Sequence, residues 1–182
     1  NAAKYRLNPD KIAAWGGSAG GHLAALLGTS GGVKELQNDS LGNAGVSDRV
    51  QAVVDMFGPI NFLTMDEQFS KAGVAGQVHN TADSPESALM GKALTLVPDL
   101  VKQANPETYI DANDPPFFIQ HGTADVLIPS QQSVEFAAAL QKVLGTKKVS
   151  IELLAGAGHA GSAFFTDANI AKVMAFLDAH LK

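Results

Sequence analysis

The stretch Lys11-Ile12-Ala13-Ala14-Trp15-Gly16-Gly17-Ser18-Ala19-Gly20-Gly21 sets a short apolar run against four glycines that surround one serine. Directly after it, His22 to Leu27 is rich in alanine and leucine and reaches Gly28. The run Lys11–Trp15 is bounded by Asn8-Pro9-Asp10 and by glycine, which reads as a buried strand. The segment Gly20–Leu27 reads as a mostly buried helix with Gly28 as its stop. A glycine-rich turn between strand and helix does one of two jobs. It cradles a phosphate, or it holds a nucleophile in an exposed, strained position. A phosphate loop needs a lysine before its Ser/Thr, and none is present. A dinucleotide turn needs glycine where Ser18 stands. The pattern Gly16-x-Ser18-x-Gly20 fits the nucleophile turn, where small neighbours let a serine stand clear of both elements.

Three further strands are marked by β-branched or aromatic runs that end in turn residues. They are Val50–Phe57 before Gly58-Pro59, Pro116–Gln120 before His121-Gly122, and Val149–Leu154 before Ala155-Gly156. Helices fill the intervals. Pro129–Leu144 carries Val134, Ala137, Leu140 and Leu144 at helical spacing, and Ala168–Leu181 carries Ile170, Val173, Met174, Leu177 and Leu181. Alternating strands and helices imply an α/β fold, a doubly wound and mostly parallel sheet covered on both faces. Residues 59–115 break the rhythm. They are polar and punctuated by proline, with a helix start at Ser84-Pro85-Glu86 and a short helix near Pro98–Gln103. So long an excursion reads either as a surface insertion or as a cap that shapes a pocket. The whole chain, 1–182, reads as one domain.

In a parallel sheet, ligand sites gather at the carboxyl ends of the strands. The residues just past each strand are therefore informative. Ser18 lies past the first, Asp125 past the third, within His121-Gly122-Thr123-Ala124-Asp125, and His159 past the fourth, within Gly156-Ala157-Gly158-His159. A nucleophile, an acid and a base thus converge on one edge, in an order used by hydrolases of this architecture. Ser18 Oγ would attack a carbonyl carbon, His159 would take its proton, and Asp125 would orient the imidazole. Ser18 would also begin a helix, whose free amides favour negative charge. The Ala19 and Gly17 backbones are the candidates for holding an oxyanion.

Rival residues have other readings. His121 ends a strand and reads as packing, or as holding the Asp125 loop, with a minor claim to be the base. His22 reads as packing against a neighbouring loop. His79, inside the excursion, reads as solvated, with a lesser claim to touch substrate, and His180, near the terminus, reads as exposed. Asp114 precedes its strand and lies at the wrong edge. Asp55, near the carboxyl end of the second strand, reads as bonding local backbone, with an outside chance of touching the site. Asp125 reads as lying in an exposed turn.

Composition narrows the partners. The 182 residues are 46% apolar and 17% charged, with a net charge of −5 and no basic cluster. This disfavours nucleic acid and anionic membrane as partners. No apolar run approaches the roughly 20 residues a bilayer requires. The absence of cysteine excludes disulfides, thiolate metal sites and a cysteine nucleophile, and leaves the compartment open. The chain opens at Asn1-Ala2-Ala3-Lys4-Tyr5, which reads as the tail of a helix, so a missing leader carries no weight.

The segments GGSAGGHLAALLGTSGG (16–32), VQAVVDMFGP (50–59), ANPETYIDANDPPFFIQHGTADVLIP (104–129) and GAGHAG (156–161) together resemble the α/β-hydrolase esterases of the hormone-sensitive-lipase-like group. They are most similar to its BD-FAE type of bacterial carboxyl and feruloyl esterases. The resemblance implies the α/β-hydrolase fold and a carboxylic-ester hydrolase. It implies Ser18, Asp125 and His159 as the triad, the Ala19 amide as an oxyanion donor, and no metal or organic cofactor. It also implies small-molecule ester substrates such as acetyl, feruloyl and short-chain acyl esters. A serine peptidase of similar fold and a catalytically silent binding protein are the alternatives. Family members carry further strands and a His-Gly-Gly loop ahead of the serine turn. The chain therefore reads as the carboxyl-terminal two-thirds of such a hydrolase. Its first strand would be an open sheet edge, where self-association is to be expected.

Overall fold

The computed structural model describes residues 1–182, the side chain of Asp39 excepted. Four parallel strands form one sheet in the order β1 (Ala13–Gly17), β2 (Ala52–Met56), β3 (Phe117–Gly122) and β4 (Val149–Leu154). The register pairs Trp15 with Val54, Val54 with Phe118, and Ile119 with Ile151. After a short α1 (Ala2–Tyr5), the helices are α2 (Ala19–Thr29), α3 (Met65–Ala72), α4 (Pro85–Met90), α5 (Pro98–Ala104), α6 (Gln131–Leu144) and α7 (Asp167–Leu181).

Successive side chains of a strand point to opposite faces, so each interior strand supplies two cores. Val53, Phe117, Ile119 and Val149 meet Ala24 and Ala25 of α2 and Phe136, Ala137 and Leu140 of α6 on one face. Val54, Met56 and Phe118 meet Phe164 and Val173 on the other, beneath α7. The sheet is thus doubly wound, as the strand and helix rhythm implies. Burying a side chain such as Phe117 or Ile119 contributes about 1.5–3 kcal/mol, and both are fully buried.

Element ends differ from the sequence expectation in instructive ways. β1 runs two residues later than Lys11–Trp15. Glycine reads as a stop, yet the β1–β2 ladder continues through Gly16 and Gly17 until the Ser18 amide donates to Met56 O at 2.9 Å. β3 likewise takes in His121 and Gly122. Gly28 does not stop α2, which runs to Thr29. It lies where the helix touches the sheet, and a Cβ there would come within 2.5 Å of Val53 and 2.7 Å of Phe117. On α7 the inward stripe is Asn169, Val173, Phe176 and Leu177, whereas Met174 is exposed.

The excursion holds α3, α4 and α5. Sequence reasoning anticipated α4 and α5 but not α3, which begins Met65-Asp66-Glu67-Gln68 and offers little apolar rhythm. Ser84 caps α4 by accepting from the Ser87 amide at 3.0 Å, with Pro85 in its first turn. The excursion has its own core of Phe62, Met65, Leu94 and Val101, closed by Ile128 from the loop after β3. Among the described residues no helix is long and apolar enough to cross a membrane.

Candidate active site

Ser18 forms the corner between β1 and α2. Its backbone takes φ 56°, ψ −126°, a region costly for any residue with a side chain. The turn is tight enough that a Cβ on Gly16 would sit 2.1 Å from Gly20 O, so only glycine fits there. This strained corner lifts the serine hydroxyl above the carboxyl edge of the sheet. Ala19 begins α2, and its amide has no acceptor among the described residues. Gly17 ends β1 opposite Met56.

His159 reaches the same place from the loop after β4. Its Nε2 is 2.8 Å from Ser18 Oγ, and its Nδ1 is 2.7 Å from Asp125 Oδ2. An ionised carboxylate can only accept, so Nδ1 carries the proton and the Nε2 lone pair faces the serine hydroxyl. That tautomer is the one a general base requires. Phe57 and the His159 ring pack edge to face, with centroids 4.9 Å apart at 68°, and Phe57 in turn packs on Phe164 at 4.5 Å.

Asp125 is buried, which corrects the expectation of an exposed turn. Its Oδ1 accepts from the Leu127 amide at 2.8 Å and the Ile128 amide at 2.9 Å. Its Oδ2 lies 3.3 Å from His121 Nε2 as well as against His159. Burial by itself would raise the carboxyl pKa. Hydrogen bonds from His121, His159 and the two amides outweigh it and hold the group well below the usual carboxylate range.

The other sequence candidates lie elsewhere. His121 is buried, with Nδ1 2.7 Å from Ser133 Oγ and Nε2 3.1 Å from Ile128 O, so it holds the Asp125 loop from below. His22 donates from Nε2 to Ala104 O at 2.8 Å, tying α2 to the end of α5, and burial lowers its pKa. His180 is exposed at the end of α7. Asp114 accepts from the Asp111 amide at 2.9 Å, ahead of β3. Asp55 is fully buried and accepts from the Gly58 amide at 3.0 Å, with no hydrogen bond to Ser18, Asp125 or His159. Its Oδ2 has no partner among the described residues, and burial pushes its pKa up to about 6.

His79 is a correction. Rather than solvated, it is fully buried between α3, α4 and the Asp125 loop. Its Nδ1 lies 2.9 Å from Glu86 Oε2 and its Nε2 lies 2.8 Å from Leu127 O. Sequence reasoning also passed over Phe57. Its place at the end of the expected strand Val50–Phe57, before Gly58-Pro59, was the one signal it offered.

With this geometry in hand, the comparisons with known proteins are specific. The family model described as BD-FAE matches residues 1–140. The chain belongs to the BD-FAE family of α/β-hydrolase esterases. Among curated relatives, esterase LipQ of Mycobacterium tuberculosis is 36% identical over 160 residues, 88% of this chain and 35% of LipQ. Among solved structures, a truncated carbohydrate esterase from gut microbiota superposes with a TM-score of 0.83 at 33% identity, over 99% of this chain and 63% of that one. A bifunctional GH43-CE protein of Bacteroides eggerthii gives a TM-score of 0.84 at 35% identity, over 100% of this chain and 23% of that one. This BD-FAE chain therefore spans about a third of the length of the curated relatives it matches.

Proposed function

We propose that the chain carries the nucleophile, base and acid of a carboxylic-ester hydrolase that works through an acyl-serine. The observation that carries this reading is the unbroken line Ser18 Oγ, His159 Nε2, His159 Nδ1, Asp125 Oδ2, with contacts of 2.8 and 2.7 Å. The esterase names of its relatives support it. Ser18 Oγ adds to the ester carbonyl carbon while its proton passes to His159 Nε2. The Ala19 amide, with the helix terminus behind it, receives the oxyanion, and the Gly17 backbone borders the same corner. His159 then returns the proton to the departing alkoxide. A water molecule, deprotonated by the same nitrogen, releases the acid and restores Ser18. Residues 59–115 act as a cap beside this edge. Short-chain acyl, acetyl or feruloyl-type esters are the proposed substrates, supported by the carbohydrate esterase among the structural relatives.

The test is covalent labelling of the full-length protein by a fluorophosphonate, with p-nitrophenyl acetate, methyl ferulate and an acetylated oligosaccharide as substrates. A single adduct on Ser18, with all ester turnover lost in Ser18→Ala, is expected. An adduct at another residue, or turnover that survives the substitution, overturns the reading. Cleavage of a peptide amide in preference to every ester would move the chain to peptidase chemistry.

A further inference from the structure

A second histidine–carboxylate pair lies behind the first. His79 Nε2 meets the Leu127 carbonyl, which can only accept, so Nε2 carries a proton. His79 Nδ1 meets Glu86 Oε2 at 2.9 Å, so this contact needs a second proton, on either the nitrogen or the carboxyl. Imidazole and carboxyl together therefore hold one proton more than neutral histidine beside ionised glutamate would. The Leu127 carbonyl shares its peptide group with the Ile128 amide, and that amide donates to Asp125 Oδ1 at 2.9 Å. A proton donated to one end of a peptide group polarises the donor at the other end. The line runs on through Asp125 Oδ2 and His159 to Ser18 Oγ.

We propose that His79 and Glu86 are positioning residues of the site, a one-proton latch that fastens the 59–115 excursion to the loop bearing Asp125. The proposal rests on the reading of Asp125 as the acid of the triad. The latch is built from three sides. α3 supplies Asp66, whose Oδ1 accepts from the His79 amide at 2.7 Å, and the Phe69 ring stacked on the imidazole. α4 supplies Glu86. The Asp125 loop supplies Leu127 O, and next to it Val126 O accepts from the Gln77 amide at 2.8 Å. The charged and titratable groups facing His79 are Glu86 and Asp66, and Glu86 also acts on His22 of α2.

Removal of the shared proton leaves one contact with two facing lone pairs. The charged hydrogen bond to Glu86 is the stronger, so the ring keeps its proton on Nδ1 and the Leu127 carbonyl is released. Burial lowers the His79 pKa, but the hydrogen bond and charge of Glu86, with Leu127 O and Asp66, carry it above the ordinary value. The latch is thus closed while both contacts hold a proton, and opens as pH rises through that raised value.

The experiment tracks Ser18 labelling by a fluorophosphonate, and kcat and KM for p-nitrophenyl acetate, from neutral to strongly alkaline pH in the full-length protein. Wild type is expected to lose rate along an alkaline limb. Glu86→Gln, whose amide donates to Nδ1 and leaves a neutral ring donating to Leu127, is expected to lack that limb. His79→Leu is expected to lower kcat roughly ten- to a hundredfold, the scale of a small misplacement of catalytic groups, with KM little changed. An alkaline limb identical in wild type and Glu86→Gln overturns the proposal, as does full activity in folded His79→Leu. If His79→Leu does not fold, the Glu86→Gln profile decides. If wild-type Ser18 takes no label at any pH, it is the esterase reading that has failed. The latch is then judged by NMR, where the Leu127 carbonyl carbon should titrate together with the His79 ring in wild type and not in Glu86→Gln.

Discussion

Two histidine–carboxylate pairs of nearly equal geometry sit in different parts of this molecule. At the sheet edge, His159 Nδ1 lies 2.7 Å from Asp125, and the far nitrogen lies 2.8 Å from a hydroxyl. Under the excursion, His79 Nδ1 lies 2.9 Å from Glu86, and the far nitrogen lies 2.8 Å from a carbonyl. The third partner separates them. A hydroxyl has a proton to give, so the His159 ring can stay neutral and act as a base. A carbonyl has none, so the His79 ring can hold that contact only as a donor, not as a base. Exposure divides in the same way: the His159 side chain is 13% accessible and that of His79 is 1% accessible.

The sharpest break in the comparison is the removal of the hydroxyl. Ser18→Ala is expected to reduce kcat on p-nitrophenyl acetate by on the order of 10⁴-fold or more, and adding His159→Ala should cost little further, because the two act as a unit. Single-turnover kinetics on Ser18→Ala, His159→Ala and the double variant checks this, and additive losses would mean the residues work separately. Next in size is Asp125→Asn. It keeps the shape but offers His159 an amide, which stabilises the wrong tautomer, so a loss of roughly 10³–10⁴-fold in kcat is expected. Smaller still is Phe57→Ala. It strips the edge contact from both His159 and Phe164, and a destabilisation of about 3–5 kcal/mol is expected from the cavity. Denaturant titration measures it, and a change well under 1 kcal/mol would show that the ring does not pack as described.

The sheet edge was far more legible in the sequence than the excursion, for a physical reason. Ser18, Asp125 and His159 each come directly after a strand, and parallel strands end on one edge, so local patterns were enough to bring the three together. β1 and β3 run past their expected ends because Gly16, Gly17 and Gly122, which belong to the strands, resemble stops. His79 carries no such local mark. Its meaning comes from Leu127, far along the chain, and from Glu86, which as a sequence feature belongs to a helix start. The polar first turn of α3 hid a helix whose Met65 and Phe69 are nonetheless core. The burial of Asp125 was equally invisible, since its carboxylate is enclosed by His121, by His159 from a distant loop and by the amides of Leu127 and Ile128. Contacts that depend on an irregular segment folding back are not written in periodicity.

Asp55 extends the comparison to a carboxylate with no imidazole hydrogen-bonded to it. Asp125 receives four donors and is held below the usual range, whereas Asp55 receives one and is raised from 3.8 to about 6. The two must therefore bend the stability curve in opposite directions. A depressed folded pKa contributes stability that is present above the unfolded value and lost as pH falls through the folded one. For Asp55 the folded form holds its proton more tightly than the unfolded chain does. Stability is then greatest below about 3.8 and declines as pH rises to about 6, by roughly 3 kcal/mol for a shift of about two units. Asp55→Asn removes that decline, so the difference in unfolding free energy between Asn variant and wild type should move by about this amount in favour of the variant between a pH below about 3.8 and neutral pH. Groups common to both proteins cancel in the difference. Urea titrations at the two pH values provide the measurement, and parallel curves would show that Asp55 is solvated or partnered in a way that its burial and unpaired Oδ2 do not allow. Asp125→Asn, measured alongside, should shift the opposite way on acidification, because the charge it removes is one the fold stabilises.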